Sequence, residues 1–259
     1  MVVQVMRAST ENVPTAALDQ ELSAALGQIF LEHQPIIGWS ARSVYGYEAL
    51  ARSRVPGLAE PERLFEAATA LGRIGELGQR IRSLCALSLP AAPEASTLFV
   101  NLHSHELLDE ALYDRASALA SWAPRVVLEI TERAAIDNVH DVRERVARLR
   151  QMGYRIAVDD IGAGYSGLKS FAILQPDLVK LDLSLIRNVD ADPMRRRLVS
   201  LVIELCRDLG IGVVAEGVGT AAERDTLLEV GVDLFQGFLF ARPQSGFVAP
   251  ELPSPRASL

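Results

Sequence analysis

Tyr154-Arg155-Ile156-Ala157-Val158-Asp159-Asp160 is an apolar run that stops in two adjacent carboxylates. Strands buried on both faces are short and rich in Val, Ile and Leu, and a charge inside one is costly without a partner. The two acids therefore mark a strand end. The same pattern recurs along the chain. Val126-Val127-Leu128 ends in Glu129, Leu178-Val179 runs into Lys180, Val213-Val214-Ala215 ends in Glu216, Phe99-Val100 ends in Asn101, and the segment 44–50 carries Glu48. The apolar runs predict strands over 29–37, 44–50, 97–102, 125–130, 154–159, 177–181, 212–216 and 232–238.

Helical spacing fills the intervals. One helix is predicted over 16–28 and another over 139–152, with Val139, Val142, Val146 and Leu149 on its apolar face. A third spans 193–209, opened by Asp192-Pro193 and closed by Gly210. Met194, Leu198, Leu201, Val202, Leu205, Cys206 and Leu209 are assigned to its apolar face. Repeated strand–helix units imply a parallel sheet. About eight strands in this length favour a closed TIM-like barrel, although the alternation alone is compatible with an open sheet.

The chain has 259 residues, 49% of them hydrophobic, which is enough for one large core. Its net charge of −7 argues against binding a DNA or RNA polymer. An acidic protein still handles a phosphodiester if bound cations supply the positive charge. The two cysteines, Cys85 and Cys206, lie on apolar helix faces and are expected as buried thiols. No apolar run reaches the ~18 residues of a membrane span, so a soluble cytoplasmic protein is expected. The organisation expected is a flexible lead-in over 1–16, one domain over 17–245, and a mobile tail over 246–259 rich in proline and serine.

In a barrel the C-terminal strand ends ring one mouth, where such enzymes keep their chemistry. A single acid after a strand is more often a helix cap. Several in succession point to carboxylates gathered around a cation, because otherwise they repel one another. Asp, Glu and Asn oxygens suit Mg²⁺ or Mn²⁺. Asp159-Asp160 would serve two neighbouring ions, which at about 4 Å apart activate water and stabilise a phosphoryl oxygen. A zinc site on His103-Ser104-His105 is the weaker reading, since only His33 and His140 remain as further imidazoles. Gly162-Ala163-Gly164-Tyr165-Ser166-Gly167 lacks the spacing of a nucleotide-cofactor loop and reads as a flexible loop beside the acids.

Seven segments in order resemble the EAL domain family. Gln34-Pro35-Ile36-Ile37 and Gly46-Tyr47-Glu48-Ala49-Leu50-Ala51-Arg52 are similar to its opening. Val100-Asn101-Leu102, Leu128-Glu129-Ile130-Thr131-Glu132 and Asp159-Asp160-Ile161-Gly162-Ala163-Gly164-Tyr165-Ser166 resemble its asparagine strand, its E-[LI]-T-E motif and its aspartate loop. Leu178-Val179-Lys180-Leu181-Asp182 and Val214-Ala215-Glu216-Gly217-Val218 resemble K-[IL]-D and A-E-G-V-E, and Gln236-Gly237-Phe238 with Ala241-Arg242-Pro243 resembles the close.

The resemblance implies a TIM-like (β/α)8 barrel with one antiparallel strand and hydrolysis of cyclic di-GMP to linear pGpG with two Mg²⁺ or Mn²⁺ ions. It implies that Glu48, Asn101, Glu129 and Asp159 hold one ion, with Asp159 bridging to a second served by Asp160 and Glu216. Lys180 would position the attacking water, with Glu216 and Glu48 also at the chemistry. Gln236 would support the metal and water shell and, with Gln34, Leu50, Arg52, Asp182 and Pro243, line the substrate groove. Glu132 would brace the loop after Asp160. A homodimer is expected by the same likeness, and regulation would come from that dimer, a separate regulatory protein or the short N-terminal segment. The chain departs from the family pattern at Gly219 (usually Glu), Ile161 (usually Phe), Gly167 (usually Ser) and His103 (commonly a small Ser). These departures motivate an alternative, a catalytically weak or inactive domain that works as a cyclic di-GMP receptor or protein-interaction module.

Overall fold

Eight apolar runs with turns and helices between them can bury both strand faces by closing on themselves, with the helices covering the outside. A computed structural model of the chain, which describes residues 15–131, 141–162 and 167–252, shows that closure. The strands are β1 (Ile29–Gly38), β2 (Ser43–Ser53), β3 (Thr97–Leu102), β4 (Val126–Thr131), β5 (Arg155–Ile161), β6 (Leu178–Leu181), β7 (Gly212–Ala215) and β8 (Leu234–Phe235). They close a barrel in sequence order. β1 runs antiparallel to both β2 and β8, and the other pairs are parallel. The expected TIM-like architecture with one antiparallel strand is thus observed. β8 is shorter than the predicted 232–238. Its ladder stops before Gly237, whose φ of 154° and whose closeness to the Val218 backbone leave no space for a Cβ.

The barrel interior is layered. Ile36, Phe99, Val127, Ala157, Leu178 and Val214 form an apolar plug inside it. Side chains alternate in and out along a strand. Two residues further toward the mouth, the same inward positions are therefore occupied by Gln34, Asn101, Glu129, Asp159, Lys180 and Glu216. Gly46 makes room for the plug, since a Cβ there would come 3.0 Å from the Phe99 ring.

The outer ring holds α1 (Thr15–Gly27), α2 (Pro61–Ala70), α3 (Ile74–Ser88), α4 (Val142–Gln151), α5 (Gly167–Leu174), α6 (Leu183–Ile186), α7 (Pro193–Asp208) and α8 (Ala221–Glu229). The predicted start of α4 at Val139 lies outside the described residues. Asp192 caps α7 by accepting from the Met194 and Arg195 amides.

The apolar face assigned to α7 from sequence is corrected by the structure, except at Cys206, which is buried as assigned, and Val202, which packs partly buried against the core. The helix turns Val199, Ile203 and Cys206 to the core. Met194, Leu198, Leu201, Leu205 and Leu209 are exposed at 69, 47, 45, 39 and 57%. α7 carries two apolar stripes, and the larger residues are on the outer one. Cys85 and Cys206 are free, buried thiols as expected, and burial pushes them up to about 12 and about 11. Among the described residues no helix is long and apolar enough to cross a membrane.

After β8 the chain returns along the outside of β1, where His33 and Gln244 exchange backbone hydrogen bonds. Phe247 lies over the His33 ring at 4.1 Å and meets Tyr47 edge-on at 5.0 Å.

Candidate metal centre

The layer above the plug takes one polar residue from each strand or its first following position. They are Gln34 (β1), Glu48 (β2), Asn101 (β3), Glu129 (β4), Asp159 (β5), Lys180 (β6), Glu216 after β7 and Gln236 after β8. The ladders hold them level: Gln34 pairs with Glu48 across β1 and β2, and Asn101 with Glu129 across β3 and β4.

Lys180 sits at the centre, 1% exposed. Its Nζ lies 2.5 Å from Glu216 Oε1, 2.8 Å from Glu129 Oε1, and 3.3 Å from both Glu48 Oε2 and Asp159 Oδ1. Burial alone would strip its proton, but the four carboxylates outweigh that and hold the ammonium well above its usual pKa. One cation does not neutralise four acids. Burial pushes Glu129 and Glu216 well above the usual carboxylate range, against the pull of Lys180. Glu48 goes the other way. Its burial is overcome by the Lys180 charge and by hydrogen bonds from Gln236 and Asn101, so it stays ionised below the usual range.

An amide relay fixes Glu48. Gln236 Nε2 donates to Glu48 Oε2 at 2.7 Å and to Gln34 Oε1 at 3.0 Å, and Gln34 Nε2 donates to the Ala241 carbonyl at 3.0 Å. Asn101 Nδ2 donates to Glu48 Oε1 at 3.0 Å.

Asp159, Asp160 and Glu216 each offer a carboxylate oxygen, all within 4.8 Å of one another. Asp160 takes the left-handed region at φ 61°, sparsely used by residues other than glycine but tolerated by Asp. That turn follows a break in the β5–β6 register after Val158 and lets both neighbouring carboxylates reach the same mouth. The donor set is all oxygen, half-buried around a buried Asp159, and richer in negative charge than its lysine can neutralise. It fits a hard divalent cation. No comparable group forms around His103 and His105 among the described residues. His103 Nδ1 instead accepts from the His105 amide, so the zinc alternative has no third ligand.

A cavity of about 560 Å³ opens from this centre, bordered by Glu48, Asn101, Asp159 and Asp160 at one end and by Leu50, Pro61, Phe65 and Leu102 further out. Arg52 also borders it, anchored by Glu32 at 2.9 Å. The remaining candidates lie elsewhere. The Asp182 carboxylate caps α6 by accepting from the Ser184 amide at 2.9 Å. Pro243 follows the β8 loop and is absent from the cavity's described lining. Glu132 and the loop 163–166 lie outside the described residues.

Two supporting residues escaped the sequence reading. Glu223 accepts from the backbone of Gly219, Thr220 and Asn188, tying down the turn that follows Glu216. Its Oε2 lies 3.6 Å from where a Cβ on Gly219 would be, and that oxygen is taken up by the Gly219 and Thr220 amides. The Thr220…Glu223 spacing of a capping box was the available signal. Glu106 is 1% exposed and pairs with buried Arg82 beneath the loop after β3.

The comparisons agree with this geometry. The EAL domain family model matches residues 16–243. Cyclic di-GMP phosphodiesterase NbdA of Pseudomonas aeruginosa is 33% identical over 87% of this chain and 30% of its own length. Cyclic di-GMP phosphodiesterase RocR of the same organism is 31% identical over 84% of this chain and 58% of its own. The chain thus spans well under two thirds of either relative. A manganese and cyclic di-GMP complex of Klebsiella pneumoniae BlrP1 superposes with a TM-score of 0.75 and 34% identity, covering 84% of this chain and 56% of that one. The chain belongs to the EAL domain family.

Proposed function

We propose that this domain hydrolyses cyclic di-GMP to linear pGpG with two divalent cations, Mg²⁺ or Mn²⁺. The observation that carries the reading is the ring of Glu48, Asn101, Glu129, Asp159, Lys180 and Glu216 at the mouth, with Asp160 beside it and an open groove leading away. Glu48, Asn101, Glu129 and Asp159 would hold one ion, and Asp159, Asp160 and Glu216 the other. Bound there, the ions lower the pKa of water and neutralise phosphate charge. Lys180, held cationic by its neighbours, orients the attacking water through an N–H donor. The Gln34–Gln236 relay keeps Glu48 in one rotamer, and Gln236 supports the shell around the ions. Arg52, fixed by Glu32, offers guanidinium donors to a dinucleotide in the groove, with Leu50 as a further groove residue.

The test is turnover of cyclic di-GMP with Mg²⁺ and with Mn²⁺, read as pGpG by chromatography. Binding without product, at saturating substrate and with either metal, would replace this reading by the receptor reading that Gly219 favours.

The exposed stripe of α7 supports a homodimer. Met194, Leu198, Leu201, Leu205 and Leu209 are spaced nearly symmetrically about the helix midpoint. Two α7 helices packed antiparallel on a two-fold axis bring Leu198 near Leu205 of the other copy. The same pairing sets Arg197 near Glu204 of the other copy, two residues that already meet at 3.6 Å along the helix. Leu201→Arg places a charge on that axis. It is expected to leave a folded monomer in sedimentation velocity at concentrations where the parent is a dimer, and an unchanged sedimentation coefficient would remove α7 from the interface.

A further inference from the structure

Among the described residues His103 is the one imidazole that borders the cavity, next to Asn101 and facing the same space as Asp159 and Asp160. Its placement is unusually determined. The backbone N–H of His103 donates to Glu106 Oε1 at 2.9 Å, while the other oxygen of that carboxylate is gripped by the guanidinium of Arg82. Arg82 and Glu106 are 9% and 1% exposed, an ion pair of a kind that is costly to bury. Gly78 admits it, because a Cβ at that position would overlap the Glu106 carboxylate. The ring itself is fixed by a third contact: the His105 amide donates to His103 Nδ1 at 3.3 Å. An Nδ1 that accepts carries no proton, so the proton of the ring resides on Nε2.

We infer that His103 is a substrate-positioning residue whose Nε2–H donates to a phosphate oxygen of the dinucleotide in the groove. The inference rests on the reading of the groove as a cyclic di-GMP site. Acids dominate the titratable lining of the cavity: Glu48, Glu62, Glu66, Asp159 and Asp160, with Arg52 and His103 the exceptions. A ligand carrying two phosphodiesters needs donors beyond those that hold its reacting phosphate. An N–H meeting an anionic oxygen makes a stronger bond than one between neutral groups. The ion pair beneath His103 keeps the donor in place before substrate arrives, which lowers the ordering cost of binding.

The experiment compares the parent with His103→Ser and His103→Gln in steady-state hydrolysis of cyclic di-GMP with Mn²⁺. His103→Ser is expected to raise KM about 10-fold with kcat within about two-fold, the size of one lost hydrogen bond to a charged group. His103→Gln, whose side chain carries an amide donor, is expected to recover most of that loss. Nitrogen-15 spectra of histidine-labelled parent should show an Nε2–H imidazole that is missing from His103→Gln and shifts when cyclic di-GMP is added with Ca²⁺. A KM for His103→Ser within two-fold of an active parent, or an Nε2–H signal indifferent to the dinucleotide, overturns the inference while leaving the hydrolase reading intact. A parent that neither binds nor cleaves cyclic di-GMP overturns both. If His103→Ser fails to fold, the His103→Gln kinetics and the parent spectrum decide the question.

Discussion

Lys180→Met is expected to destabilise the metal-free domain by about 3–5 kcal/mol, the usual cost of removing one partner from a buried ion cluster. For a chain of this size that lowers the melting temperature on the order of 10 °C. The cause is local. Four carboxylates that now share one ammonium within 3.3 Å would be left with none. The sign of the pH dependence follows from the raised carboxyls. Burial already holds Glu129 and Glu216 well above their ordinary pKa, and losing the ammonium raises them further. The folded variant then binds more protons than the unfolded chain. Its stability is fully present below the unfolded carboxylate pKa and is lost as pH rises through the raised values. Melting curves at several pH values in the presence of a chelator check this. Mn²⁺ should return part of the lost stability, because the ion binds only the folded state. A variant that melts like the parent at every pH would mean the four acids do not feel Lys180.

Asp159→Asn is expected to reduce turnover by at least about 1,000-fold, equivalent to about 4 kcal/mol of lost transition-state stabilisation. The substitution keeps the shape of the side chain and removes its charge. Asp159 is the residue assigned to both ions, so the amide weakens two ligand sets at once. It also leaves Lys180 with three carboxylates instead of four. The expected signature has two parts: loss of product, and loss of the rise in melting temperature that Mn²⁺ gives the parent. Retention of turnover within tenfold would take Asp159 out of the metal ligands. Asp159 Oδ1 also accepts the Asp160 amide at 3.0 Å, a bond the carboxamide oxygen can still accept, so local folding is not the cause of the loss.

The fold was legible wherever a residue could not belong to the middle of a strand. Glu129, Asp159, Lys180 and Glu216 fixed strand ends to within a residue or two, since a charge at the end of an apolar run has few places to go. The ring they build was legible only in kind. That Lys180 touches four acids depends on barrel registry between strands far apart in sequence. α7 was misread because periodicity finds an apolar stripe but does not say which of two stripes faces the core. Val199, Ile203 and Cys206 are fewer than the large apolar residues of the outer face, and two of the three are smaller than leucine, so size pointed the wrong way. Glu223 and Glu106 escaped the sequence reading. Both accept backbone N–H groups of the turn just before them, and the one partner that only the closed barrel brings within reach is the Asn188 amide on Glu223.

The reversed direction of β1 also decides where the domain can be wired to anything upstream. Ile29, at the start of β1, pairs with Ser53 at the end of β2, so the strand begins at the end of the barrel where the others finish. α1 leads directly into it. In a barrel of eight parallel strands, a preceding module would attach at the floor, remote from the chemistry. Here a push or pull on α1 is delivered at the rim, beside α2 and the groove it borders. From Phe30 to Gln34 there are four residue steps, about 13 Å of backbone, to the amide that steadies Glu48. A displacement at the head of the domain thus has a short lever to the carboxylate ring.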